Sequence, residues 1–157
     1  MQRVRIIAVG ALSEKYYKEA HSEYLKRLSR YLDFSVTELA DEPLPKNASP
    51  AQTAQATGRE GERILAALKK GERAVVLDLG GRALTSPGLA ARITAWEDRP
   101  TALIIGGSCG LSHDVLARAD ESIKLSELTF THNMARLILM EQLYRGCKIN
   151  NNETYHK

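Results

Sequence analysis

The sequence lacks any long apolar run: nothing in its 157 residues approaches the roughly 20 consecutive apolar residues of a membrane span. The first segment, Met1 to Ile7, interrupts its apolar residues with Arg3 and Arg5 and so offers no signal-peptide core. Cysteine is scarce. Cys109 and Cys147 fit neither a metal-ligand spacing nor a disulfide framework, which predicts a reducing, cytoplasmic setting with no metal. A large excess of one charge is also absent, with 22 basic against 19 acidic side chains and a net charge of +3. That balance is compatible with a nucleic-acid partner without demanding one. With no repeat, linker or low-complexity segment, residues 1–157 are expected to form a single domain.

What is present is an alternation of strand and helix patterns. Val4 to Val9 is a β-branched run closed by Gly10, and a helix opening at Ser13 places Tyr17, Ala20, Tyr24, Leu28 and Tyr31 at helical spacing. Its other face carries Lys15, Lys18, Lys26, Arg27 and Arg30 among Glu19 and Glu23, a solvated face compatible with an RNA-facing surface. Phe34, Val36 and Leu39 alternate as a second strand. Ser49-Pro50-Ala51-Gln52 has the form of a capping box with proline at the first helical position, and that helix is expected to stop at Gly71. Ala74 to Leu79 is a third strand ending at Gly80-Gly81, followed by a helix from Ser86-Pro87. Thr101 to Ile105, a short strand at Ile123 to Leu125, and a last helix from Thr131 or Asn133 to about Cys147 complete the chain. This order predicts an α/β fold, a mainly parallel sheet with helices on both faces.

Leu103-Ile104-Ile105 runs straight into Gly106-Gly107-Ser108-Cys109-Gly110. Glycines there let the chain turn sharply and expose its N–H groups, and Ser112 is placed to cap the helix that follows. Strand, glycine turn and helix build a pocket at the strand ends of an open α/β sheet. Gly106-x-Ser108-x-Gly110 also matches the nucleophile elbow of hydrolases, with Asp114 or Asp120 and His132 or His156 as triad partners. Cys109 is either a nucleophile or a small loop residue. Leu125 to Phe130 is either ordinary packing or a backbone cradle for a flat uncharged ring. In the last helix, Leu137 to Met140, Leu143 and Tyr144 spread apolar groups over more than one face, which predicts burial on several sides, including against a second subunit. Glu141 and Arg145, one turn apart, form an i,i+4 pair, and His132 is a cap or a core histidine.

Four ordered motifs then converge: Ile104-Ile105-Gly106-Gly107-Ser108-x-Gly110-Leu111, Leu125-Ser126-x-Leu128-Thr129-Phe130-x-His132, Met140-Glu141-Gln142-Leu143-Tyr144-Arg145, and Tyr155-His156-Lys157. Together with Ile6 to Gly10 and Leu77-Asp78-x-x-Gly81, they resemble the ribosomal RNA large-subunit methyltransferase H family of SPOUT-class enzymes over essentially the whole chain. The resemblance implies a C-terminal trefoil knot, a homodimer, and S-adenosylmethionine-dependent methylation of N3 of a pseudouridine in 23S ribosomal RNA of the assembled ribosome. By position it implies a cofactor pocket of Leu77, Gly106, Leu125, Ser126, Glu127, Leu128, Thr129 and Phe130. It places Arg145, Tyr155 and His156 on the RNA side. Thr131 stands where the family usually has proline, so that turn is expected to be looser.

The implied reaction gives these residues tasks. The imide N3–H must be lost before nitrogen attacks a sulfonium methyl, and His156 suits the general base. Arg145 suits the developing anion or a phosphate, and Tyr155 suits stacking or an edge hydrogen bond. Two other classes compete: a Ser108 acyl hydrolase, and a non-catalytic ribosome-binding module. A small net charge predicts weak binding to free RNA and favours a composite ribosomal surface.

Overall fold

In the computed structural model, which describes residues 1–157, five parallel strands alternate with five helices. They are β1 (Arg3–Val9), α1 (Lys15–Leu28), β2 (Asp33–Leu39), α2 (Pro50–Ala67), β3 (Arg73–Ala83), α3 (Ser86–Ala95), β4 (Thr101–Ile105), α4 (His113–Arg118), β5 (Glu121–Lys124) and α5 (His132–Asn150). The sheet order is β2-β1-β4-β3-β5, with every pairing parallel.

Alternation along each strand sorts side chains to two faces. Val4, Ile6 and Ala8 of β1, with Val75, Leu103, Ile105 and Ile123, pack under Leu28 of α1, Leu89 and Ile93 of α3, and Leu139, Met140 and Leu143 of α5. Ile7, Val9, Ala74, Val76, Ala102 and Ile104 point the other way, against Ile64 of α2 and Val115 of α4. The result is three layers, with β4 buried along its whole length, as a central parallel strand must be.

Local chemistry sets the boundaries. The Ser49 capping box forms as expected, with its Oγ accepting from the Gln52 N–H and its own N–H donating to Gln52 Oε1. Ser112 caps α4. Three expectations shift. Ser13 is spent on Glu14 Oε2 (3.0 Å), and α1 starts at Lys15. Helix α2 stops at Ala67 rather than at Gly71, while α3 starts at Ser86 as expected, capped by Thr85. Gly80-Gly81 does not end β3: the strand continues to Ala83, and Ile123 of β5 lies opposite both Leu77 and Arg82. A Cβ at Gly81 would sit 2.6 Å from the Ile123 carbonyl carbon, so glycine there permits the close wrap.

Within one chain, helix α5 buries one stripe: Arg136, Leu139, Met140, Leu143, Gly146 and Cys147. Gly146 abuts α3, where an added Cβ would meet Ile93 Cδ1 at 2.5 Å. Met134, Leu137 and Ile138 stay half-buried or exposed on other faces of the helix. No helix is long and apolar enough to cross a membrane.

Candidate active site

The middle of β3 and the carboxyl ends of β4 and β5 surround a cavity of about 570 Å³. Leu77, Asp78 and Leu79 come from β3. The turn after β4 supplies Gly106, Gly107, Ser108 and Gly110, while the β5–α5 connection supplies Leu125, Ser126 and Leu128 through His132. Of the cofactor residues implied by sequence, seven line this cavity. Glu127 does not; its carboxylate pairs with Lys124 Nζ at 2.6 Å and is 84% exposed.

The glycine turn is tight because backbone closes on Gly106. A Cβ on Gly106 would lie 2.8 Å from the Gly110 carbonyl oxygen, and Gly110 takes φ +79° while its N–H donates to Gly107 O at 3.1 Å. Behind it the buried Glu60 carboxylate accepts the Glu42 N–H at 2.9 Å and stands about where a Gly107 side chain would go. Across the cavity Ser126 Oγ accepts the Leu128 N–H at 3.0 Å, which shapes the second wall. Leu79 and Leu128 remain 63% and 71% exposed at the mouth. Bare leucines beside a glycine turn fit a ligand with a flat apolar part and polar edges.

His132 also lines this cavity, although sequence reading offered it only as a cap, a core histidine or a triad base and not as a cofactor-pocket residue. Thr131 Oγ1 caps α5 by accepting the Met134 N–H, which sets His132 in the first turn. Gly10, at φ +94°, packs beneath it: an added Cβ would lie 3.4 Å from His132 Nε2. The one available signal was its place at the end of the Leu125–Phe130 motif. No hydrolase triad assembles. The only side-chain hydrogen bond of Ser108 Oγ is a 3.8 Å contact with Cys109 Sγ, and Asp120 is occupied by the Ala74 N–H, Arg99 and Arg118. Cys109 is exposed, while Cys147 is buried, which pushes its thiol up to about 11. No group of three or more His, Cys, Asp or Glu side chains is placed to hold a metal ion.

Arg145, Tyr155 and His156 gather at the other end of α5. Arg145 Nη2 lies 2.5 Å from Glu141 Oε1, its guanidinium covers the Tyr155 ring at 4.8 Å, and Nη1 is 3.4 Å from His156 Nδ1. The Tyr155 hydroxyl donates to Glu141 Oε1 at 3.1 Å, and its ring meets Tyr144 edge-on at 4.9 Å. Burial, then hydrogen bonding with Tyr24 and Glu141, pushes the Tyr155 phenol up to about 12. A left-handed turn at Asn152 and the Glu153–Lys148 pair fold the last residues back onto the helix. Thirteen residues of α5 separate Arg145 from His132, about 20 Å at 1.5 Å per residue. Within one chain the two halves of the expected site do not meet.

A family model described as "Predicted SPOUT methyltransferase" matches residues 2–156. The chain belongs to the SPOUT methyltransferase family. Among curated relatives, this SPOUT chain is 48% identical over 160 residues to the "Ribosomal RNA large subunit methyltransferase H" of Symbiobacterium thermophilum, covering 99% of each. It is 46% identical over 158 residues to the protein of the same name from Ruminiclostridium cellulolyticum, again covering 99% of each. Among solved structures, a "probable methylase family protein" from Haemophilus influenzae superposes with a TM-score of 0.56 at 13% identity, over 99% of this chain and 71% of that one. That last likeness concerns the fold alone. The SPOUT chain therefore carries its glycine turn and apolar wall in the setting of a methyltransferase.

Proposed function

We propose that this SPOUT chain, acting as a single domain over residues 1–157, uses S-adenosylmethionine to methylate N3 of a pseudouridine in 23S ribosomal RNA of the assembled ribosome, in the cytoplasm. The observation that carries the reading is the cavity itself, a tight glycine turn facing an apolar wall at the strand ends of a chain nearly half identical to named ribosomal RNA methyltransferases. The residues present fit the cofactor. The turn at Gly106 and Gly107 admits a close approach, Leu77, Leu125, Leu128 and Phe130 supply flat apolar surface, and main-chain groups of residues 125–130 supply the polar edge. When bound, S-adenosylmethionine supplies an electrophilic methyl on a sulfonium centre.

The chain's own residues then hold the RNA base and move its proton. His156 takes the imide proton from N3, Arg145 faces the negative charge that develops, and Tyr155 packs against the base. A guanidinium cannot accept a hydrogen bond, so the 3.4 Å contact makes His156 Nδ1 the acceptor and leaves the hydrogen of the neutral ring on Nε2.

The 20 Å separation supports a homodimer. Met134, Ile138, Glu141 and Arg145 follow one another at i, i+4, i+7 and i+11 along one face of α5. A second copy packed antiparallel on that face covers the exposed apolar groups and carries its own Arg145, Tyr155 and His156 toward this cavity. The family also implies a C-terminal trefoil knot. Calorimetry tests the reading: S-adenosylmethionine and its demethylated product compete for one site per chain, and sedimentation gives a dimer. Absence of cofactor binding by a folded chain would remove the proposal.

A further inference from the structure

The exposed face of α1 carries a row of cations that the pocket does not use. Lys15, Lys18, Ser22 and Lys26 are spaced by 3, 4 and 4 residues, which sets them within about 80° of helix surface along about 16 Å. They border one shallow open groove together with Glu19 and Glu23. The two carboxylates do not neutralise the row evenly. Glu19 pairs with Lys15 at 3.5 Å and Glu23 with Arg27 at 2.8 Å, while Lys18, Lys26 and Arg30 make no ion pair. Three unpaired cations remain on or just beyond one helix.

The row begins beside the active site. Gly10 packs on His132 of the cavity rim, the Leu12 N–H donates to Glu38 Oε2, and α1 opens three residues later. From there the helix leads away from the cavity mouth. A polyanion whose target nucleotide enters the cavity would thus find lysines along its flanking backbone. Two copies of this face brought together would oppose like charges, which disfavours it as a self-interface.

We infer that the Lys15–Lys26 face of α1 is a docking surface for backbone phosphates of the ribosomal RNA flanking the modified nucleotide. The inference rests on the proposed function for its partner, and phosphate contact has its own signature: each neutralised phosphate adds about 0.7–0.9 to the slope of log affinity against log salt. Ribosome binding is measured across a salt series for the wild-type chain, for Lys18→Ala/Lys26→Ala, and for Lys46→Ala/Lys70→Ala, whose lysines are exposed elsewhere. The α1 variant is expected to flatten the slope by about 1.4–1.8 and weaken binding at low salt, with affinity for S-adenosylmethionine retained as proof of folding. The control variant is expected to keep the wild-type slope. An unchanged slope in the α1 variant overturns the inference, and so does weaker binding with no change in slope, which marks contact with ribosomal protein. A wild-type chain that does not bind ribosomes overturns both this and the function it rests on.

Discussion

The Tyr155 hydroxyl donates to Glu141 Oε1 at 3.1 Å, the same oxygen that holds Arg145. One carboxylate therefore fixes both the tail and the helix arginine. Gln142 Nε2 in turn donates to the other oxygen, Oε2, at 2.8 Å, so the carboxylate itself is held. Glu141→Ala is expected to release the last residues, seen as faster amide exchange over residues 153–157, and to slow methyl transfer at least tenfold. Glu141→Gln keeps an acceptor for Tyr155 and is expected to fall between the two.

His156→Ala removes the proposed proton acceptor. A general base contributes about 10²–10⁴-fold, so single-turnover transfer on saturated ribosomes is expected to fall by at least about 100-fold. Cofactor binding is expected to stay intact, since His156 does not line the cavity. A near-normal single-turnover rate would remove the base assignment.

Gly106→Ala tests the turn. The added Cβ meets backbone, Gly110 O and C at 2.8 and 2.9 Å, which cannot yield as a side-chain tip can. Overpacking of this kind costs about 1–3 kcal/mol. A lowered Tm and at least tenfold weaker S-adenosylmethionine binding by calorimetry are expected together.

A pH effect follows from the start of α5. His21 Nε2 accepts from Arg136 Nη2 at 3.1 Å, and Arg136 Nη1 donates to Glu38 at 2.7 Å. Burial first, then the Arg136 charge, lowers the His21 value below its ordinary 6.5. The unfolded chain then binds this proton more readily than the folded one, so this contribution is whole above about pH 6.5 and is lost as pH falls toward the folded value. Urea midpoints between pH 8 and 5.5 are expected to decline on the acid side, and His21→Gln, which keeps an acceptor for Arg136, is expected to flatten that decline.

Much of this arrangement was legible in the sequence because its signals are local. The Ser49 box, the Ser112 cap and the β-branched runs of β1 and β4 each carry their own geometry within a few residues. The pocket was legible for the same reason, since a glycine turn after a buried strand is a short-range pattern. The continuation of β3 past Gly80-Gly81 was not, because only pairing with Ile123, some 40 residues away, makes glycine useful there. His132 gave two bland readings alone and gains its place from the Thr131 cap and from Gly10 packing beneath it. The separation of Arg145, Tyr155 and His156 from the cavity was invisible to motif matching, which collects residues without locating them. Helix length supplies the distance.

The most direct test of the account is to supply methyl-labelled S-adenosylmethionine and the chain to intact ribosomes that lack the modification, then map the labelled nucleotide. Label at N3 of one pseudouridine of 23S ribosomal RNA, with little or none on free RNA, is the result predicted. Label on another nucleotide, equal label on free RNA, or no transfer from a chain shown to bind the cofactor would contradict it.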